Sequence, residues 1–246
     1  MSDLHVISKS TVLKNKEKKY EASICISKID NPNEYGLLEE CLNVKEREHY
    51  LGIKSSSRKN SFLHGRYVAK TAVSNLIGCD PKEISIGIGI FNYPIVEINR
   101  NKKYNVSLSH CRSIGAAIAF EEDIIIGIDI EEIKLGFESR VYNSLVENEK
   151  LLISKNKCLE IESSAVIWTA KEALSKAIKT GLTVPLGILE VKEITYKENY
   201  YICTFRNFSQ YKAISIATNR YACSIVIPKQ LEIEIDIVQI KKLLEE

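Results

Sequence analysis

The chain repeats itself. "YVAKTAVSNLIG" (67–78) aligns without gaps on "WTAKEALSKAIK" (168–179), an offset of 101 residues, and Ala, Lys, Ala, Ser and Ile recur in register. Each copy reads as a helix followed by a Pro-containing loop and several short strands, which is the pattern of a duplicated α+β unit. Two ordinary amphipathic helices that share helix formers would also give a match this short. The β-meanders that follow both copies favour duplication.

The copies differ where chemistry is possible. The second has Glu172 and Lys176 where the first has Thr71 and Asn75. A purely structural charge pattern has less reason to sit in one half only.

Periodicity sketches the rest. Residues 9–19, "KSTVLKNKEKK", are basic and polar and read as an exposed loop. A strand is predicted over 20–28, then one helix from the charged stretch at 42–62 through to Gly78 as its C-cap. Short strands follow at 84–90, 95–98, 104–109, 115–120 and 124–131, with turns at 99–102 and 121–123. Residues 137–160 read as helical, and a stronger helix covers 162–180, with Ser163 or Ser164 as its N-cap and Gly181 at its end. Strands return at 188–194, 200–206, 211–218 and 221–227, before a short terminal helix.

Composition narrows the function classes. At 45% hydrophobic and 27% charged the 246 residues suit one large domain or two small ones. A net charge of +2 provides no global basic field for nucleic acid. No apolar run has the length of a signal peptide or of a membrane span. Seven scattered cysteines without a CxxC pair read as free thiols in a reducing, cytoplasmic setting.

Four groups of residues can carry chemistry. In "DIIIGIDIEEI" (123–133), strand alternation puts Ile126, Ile128 and Ile130 on one face and Gly127, Asp129 and Glu131 on the other. The carboxylates can share a hard divalent cation, or the face can simply be solvated. Trp168, Glu172 and Lys176 lie along one helical stripe, where Glu172 and Lys176 form either a surface ion pair or a third ligand and a phosphate contact. Ser109 and His110 end a strand and can donate to phosphate, or can serve as packing residues. Lys45, Arg47, Lys54, Arg58, Lys59 and Arg66 cluster on the first helix and its approach, as a solvated face or in part as an anion site. There is no Walker loop, Rossmann fingerprint or hydrolase triad.

The order "FLHGRYVAK", "NVSLSH", "IGIDIEE", "WTAKEALSKA", "GLTVPL" closely resembles the surfactin-type 4′-phosphopantetheinyl transferases over roughly residues 42–190. That resemblance implies an α+β fold of pseudo-twofold duplicated lobes, 1–121 and 122–246, each a long helix packed on a small, mostly antiparallel sheet, with the active site between them. It implies a monomer that moves the phosphopantetheine arm of coenzyme A onto a serine of an acyl or peptidyl carrier protein and releases adenosine 3′,5′-bisphosphate. By motif, Asp129, Glu131 and Glu172 would bind Mg²⁺ (or Mn²⁺), and Lys176 would contact the pyrophosphate. Ser109, His110, Arg47 and Arg66 would bind coenzyme A, and Glu149 or Glu172 would serve as general base. "GLTVPL" resembles a loop near the docked carrier.

One departure stands out. Relatives carry Gly-Lys before the proline at the adenine, and here Asn92 and Tyr93 precede Pro94. Arg58 or Lys59 are the substitutes for the lost cation. The competing functions are a Mg²⁺-dependent phosphohydrolase or nuclease and a non-catalytic carrier-binding module; the latter would be expected to lack one of Asp129, Glu131, Glu172 and Lys176, and all four are present.

Overall fold

The computed structural model describes residues 4–134, 136–155 and 160–246. Cys158, one of the seven thiols, lies outside the described residues. The chain forms two compact units, Met1–Ile124 and Ile125–Glu246.

The first unit begins with a hairpin of β1 (His5–Lys14) and β2 (Lys19–Lys28), paired from His5↔Lys28 to Lys14↔Lys19. The loop expected at 9–19 is therefore confined to its last residues, where the Asn15 side chain accepts from Glu17 N and Lys18 N at 2.9 and 2.8 Å. Charge misleads here. Thr11 and Leu13 turn inward while Lys9 and Lys14 turn out, and pairing to β2 supplies the order that local composition does not.

Three helices follow: α1 (Tyr35–Leu38), α2 (Val44–Gly52) and α3 (Ser56–Ile77). The single helix expected across 42–78 is thus broken after Gly52. Asn43 caps α2 by accepting from Glu46 N at 3.0 Å, and Ser55 caps α3 by accepting from Arg58 N. Each cap is worth about 1 kcal/mol. Gly78 ends α3 as expected, at φ 65°, a left-handed turn that glycine makes without strain.

β3 (Ser85–Ile88) and β4 (Pro94–Glu97) form a small ladder, and β5 (Tyr104–Cys111) and β6 (Ile114–Glu121) complete the main sheet in the order β1-β2-β6-β5, all antiparallel. Val68, Ala69, Ala72 and Val73 of α3 press on Cys25, Val106, Ala117 and Ala119 of that sheet. Small residues on both sides bring helix and sheet backbones close.

The second unit comprises β7 (Gly127–Glu132), α4 (Phe137–Tyr142), α5 (Glu147–Lys155), α6 (Glu160–Ala177), β8 (Val191–Lys197), β9 (Tyr200–Phe205), β10 (Tyr211–Ala217), β11 (Tyr221–Pro228) and α7 (Ile237–Glu245). Its antiparallel sheet runs β7-β11-β10-β9-β8, with β7 at the end. α6 lies across β11, β7 and β10, burying Ala165, Val166, Ala170, Ala173 and Leu174. Full burial of a side chain such as Leu174 contributes about 1.5–3 kcal/mol. Ser163 and Ser164 are not caps: the helix starts at Glu160, which leaves both serines buried within it. Among the described residues no helix is long and apolar enough to cross a membrane.

The two units share a plan. A long helix packs on three antiparallel strands, α3 on β2-β6-β5 and α6 on β7-β11-β10. They also share a buried ion-pair clamp. In the first, Glu46 accepts from its own N-cap residue, Asn43 N (3.3 Å), from Ile86 N at β3 (3.2 Å) and from the buried Lys70 of α3. In the second, Glu149 accepts from Val146 N (3.0 Å), from Val191 N at β8 (2.9 Å) and from the buried Lys171 of α6 (2.9 and 2.8 Å). Each glutamate ties the start of one helix, the start of a strand and the middle of the long helix to a single charge. Satisfied on every side, such a pair fixes geometry more than it adds stability.

Candidate active site

In the second unit the site is built where β7 meets α6. A Cβ on Gly127 would lie 2.0 Å from Ala173 O and 2.7 Å from Ala177 N, so only glycine lets the strand touch the helix backbone. That approach brings Asp129, two residues along, under the last turns of α6. Lys176 Nζ donates to Asp129 Oδ1 at 2.6 Å; the Asp129 side chain is 3% exposed and that of Lys176 is 28% exposed. The solvated-face alternative for Asp129 is thereby excluded.

Glu131 and Glu172 complete the group. The Glu131 carboxyl is raised above its usual range by burial and by Asp129, against the pull of Lys176 and a hydrogen bond from the Trp168 indole. Burial is also the main reason Glu172 is pushed up to about 7, with Asp129 and Glu131 adding to it and Lys176 opposing. The helical stripe of Trp168, Glu172 and Lys176 and the strand face of Asp129 and Glu131 are thus one electrostatic unit. Among the described residues no three His, Cys, Asp or Glu side chains converge closely enough to hold a metal ion as they stand. The three carboxylates are coupled without forming a ready cage, and Lys176 occupies one oxygen of Asp129. The donor set is nevertheless all carboxylate oxygen, suited to a hard dication, and its two raised groups carry the repulsion that such a cation relieves.

Glu149 stands apart from this group. It is completely buried in the clamp with Lys171.

In the first unit, α2, α3 and β5 enclose a pocket of about 700 Å³. Arg58, Phe62, Gly65 and Arg66 reach it from one face of α3, and Leu108 and His110 from alternate positions of β5. His49 and Lys54 complete a largely cationic rim. Ser61 hydrogen-bonds His110 Nε2. The Arg66 guanidinium lies 4.6 Å above the centre of the Phe62 ring, a cation–π contact. Burial lowers the pKa of Arg66 against the opposing pull of Glu46 and Cys41.

Of the expected coenzyme A residues, Arg66 and His110 line this pocket. Ser109 is buried on β5, and Arg47 is engaged by Glu39, at 3.4 Å to its carboxylate and 2.9 Å to its carbonyl oxygen. Lys59 stacks over Tyr50 at 5.0 Å, whereas Arg58 lines the pocket. His49, Ser61 and Phe62 escaped sequence reasoning; the spacing of 58, 62 and 66 along α3 was a signal for Phe62, and neither His49, on α2, nor Ser61 had one. The Asn92 departure has a backbone rationale: Asn92 sits at φ 61°, where asparagine is the best-tolerated substitute for glycine.

A model of the 4′-phosphopantetheinyl transferase superfamily matches residues 125–226. No curated protein gives a significant match. Among solved structures, a holo-(acyl-carrier-protein) synthase from Bacillus anthracis, in complex with CoA (3′,5′-ADP), is 21% identical over 45% of this chain and 96% of its own, with a TM-score of 0.36. The holo-[acyl-carrier-protein] synthase of Thermotoga maritima is 21% identical over 43% and 67%, with a TM-score of 0.32. The holo-ACP-synthase of Plasmodium yoelii is 17% identical over 49% and 97%, also with a TM-score of 0.32. The stretch that carries Asp129, Glu131, Glu172 and Lys176 is thus the stretch that matches the 4′-phosphopantetheinyl transferase superfamily.

Proposed function

We propose that this chain is a two-lobed transferase of the surfactin type, which moves the 4′-phosphopantetheine arm of coenzyme A to a serine of an acyl or peptidyl carrier protein. The observation that carries this reading is the coupling of Asp129, Glu131, Glu172 and Lys176 inside the matched stretch.

In this reading the serine oxygen bonds to the phosphorus next to the pantetheine arm, the bond to the bridging oxygen breaks, and adenosine 3′,5′-bisphosphate leaves with the electron pair. Glu172 accepts the hydroxyl proton. Without a cation, burial pushes the Glu172 carboxyl up to about 7; a cation held by the carboxylates favours its ionised form, the form a general base needs. Glu149 is unsuited to that role, since both its oxygens are held by Lys171 and backbone amides. Lys176, partly exposed, offers its remaining donors to the pyrophosphate. Asp129, Glu131 and Glu172 would hold Mg²⁺ or Mn²⁺, which when bound neutralises pyrophosphate charge. The cationic pocket of the first unit suits the nucleotide phosphates of coenzyme A, through Arg66, His110 and Arg58. The enzyme works as a cytoplasmic monomer; the six described cysteines are free thiols, as a reducing compartment permits. The acceptor is a carrier of fatty acid, polyketide or peptide synthesis.

The test incubates the protein with several apo carrier proteins, coenzyme A and Mg²⁺, and weighs the carriers. A phosphopantetheine adduct is expected. Absence of any adduct sinks the reading, and release of phosphate or nucleotide without a carrier would favour a phosphohydrolase.

A further inference from the structure

The two clamps share the same backbone and lysine partners and differ in what else meets the glutamate. In the second unit, Glu149 and Lys171 form a closed, neutral pair. In the first, Glu46 and Lys70 have a third member, Arg66, whose Nε lies 3.4 Å from Glu46 Oε1. The residue at the repeat-equivalent position of Arg66 is Ile167, which is buried. The first clamp therefore carries one positive charge beyond neutrality, and the residue that carries it lines the pocket.

Glu46 and Phe62 set the position of that guanidinium. Glu46 is itself immobile, because Asn43 N, Ile86 N and Lys70 hold its oxygens. Phe62 fixes the plane from the other side. The ion pair with Glu46 lacks the alignment of a hydrogen bond, so the buried Arg66 Nε has no hydrogen-bond partner among the described residues. Nε faces Glu46, so it is as an already oriented side chain lining the pocket that Arg66 can meet an incoming anion.

We propose that Glu46 is a positioning residue for co-substrate binding: through its ion pair it holds Arg66 in the pocket in the pose that receives a phosphate of the coenzyme A nucleotide. This rests on the transferase reading above. It assigns to the first clamp a task that the second does not have.

The experiment compares wild type with the Glu46→Gln/Lys70→Met double variant, which removes one charge of each sign and leaves the local net charge unchanged. It measures binding of adenosine 3′,5′-bisphosphate by calorimetry, then KM and kcat for coenzyme A. Affinity is expected to fall about tenfold and KM to rise equally with kcat unchanged, the scale of one charge-assisted bidentate contact. In an Arg66→Ala background the same double change should add nothing. Glu46→Asp, which keeps the charge and shortens the reach to Arg66 by one methylene, should also raise KM, and it guards against misfolding of the double variant. If the double variant or Glu46→Asp binds like wild type, or if the losses simply add to that of Arg66→Ala, Glu46 is only a structural residue and the proposal is overturned while the transferase reading stands. If wild type itself binds neither adenosine 3′,5′-bisphosphate nor coenzyme A, the transferase reading fails and the proposal falls with it.

Discussion

The Cα of Gly127 lies against the backbone of Ala173, so close that a methyl group there would sit 2.0 Å from the Ala173 carbonyl oxygen. The obstacle is helix backbone, which cannot swing aside as a side chain can. Gly127→Ala is therefore expected to push β7 and α6 apart, costing about 1–3 kcal/mol or more. Displacing Asp129 from Lys176 by even an ångström should reduce transfer about 100-fold. Thermal melts and carrier-loading rates on the same variant check both; an unchanged rate would show that the strand–helix spacing does not set the site.

Asp129→Asn should separate chemistry from stability. Lys176 is partly exposed and can be solvated once its partner is neutral, so the fold should persist with a loss of about 1 kcal/mol. On the proposed reading the transfer rate should fall at least 100-fold, because the carboxylate assigned to the cation and the partner that orients Lys176 are lost together. Circular dichroism and the carrier-mass assay decide it.

The two glutamates once open as general base are distinguished by substitution. Glu149→Gln strands a buried Lys171 and should cost about 3–5 kcal/mol, with kcat per folded molecule changed little. Glu172→Gln should do the reverse, leaving the melting temperature equal or higher and removing most of kcat. Equal kcat losses in the two variants would contradict the assignment.

Stability should respond to pH in two opposed ways. Burial pushes Glu172 up from its usual 4.5 to about 7, so the folded state holds a proton that the unfolded state has released. Metal-free stability should therefore fall as pH rises from about 4.5 to 7, and Glu172→Gln should flatten that slope. Mg²⁺ should oppose the fall by favouring the ionised carboxylates. His64 acts the other way: burial pushes it down to about 4, so the folded state resists protonation and stability falls as pH drops from 6.5 towards 4. That term is on the order of 3 kcal/mol. The two windows nearly coincide, so in the metal-free protein the effects should largely cancel and leave a shallow maximum at about pH 5–6, whereas Mg²⁺ or Glu172→Gln should uncover the rise due to His64; melts across pH 4–8 check this.

The sequence displayed the second-unit site well because its residues fall at regular spacings on two elements, 127, 129 and 131 on a strand and 168, 172 and 176 on a helix. The role of Gly127 was legible only as spare room; that it admits helix backbone needs the packing. The pocket of the first unit was harder, since His49, Ser61 and His110 come from three elements whose adjacency is tertiary. Strand β1 was hidden by its lysines, and the break before Ser55 by serines that read equally well as helix. Glu149 was a candidate base through the family resemblance alone; its four bonds, to Lys171 and to two backbone amides, reveal a clamp.

β1 also bears on why the acids occur once. In the second unit β7, the acid-bearing strand, ends its sheet, whereas its counterpart β2 has β1 on its outer flank. There Thr71 bonds to Cys25 of β2, and Asn75 bonds to Ser8 of β1. Thr71→Glu with Asn75→Lys would set both new charges beside a strand that is flanked on both sides, with no acidic partner on β2 in the place of Asp129. Loss of symmetry in this molecule is thus a matter of where the helix-facing strand sits in its sheet as well as of side chains: at the end in one unit, and covered on its flank in the other.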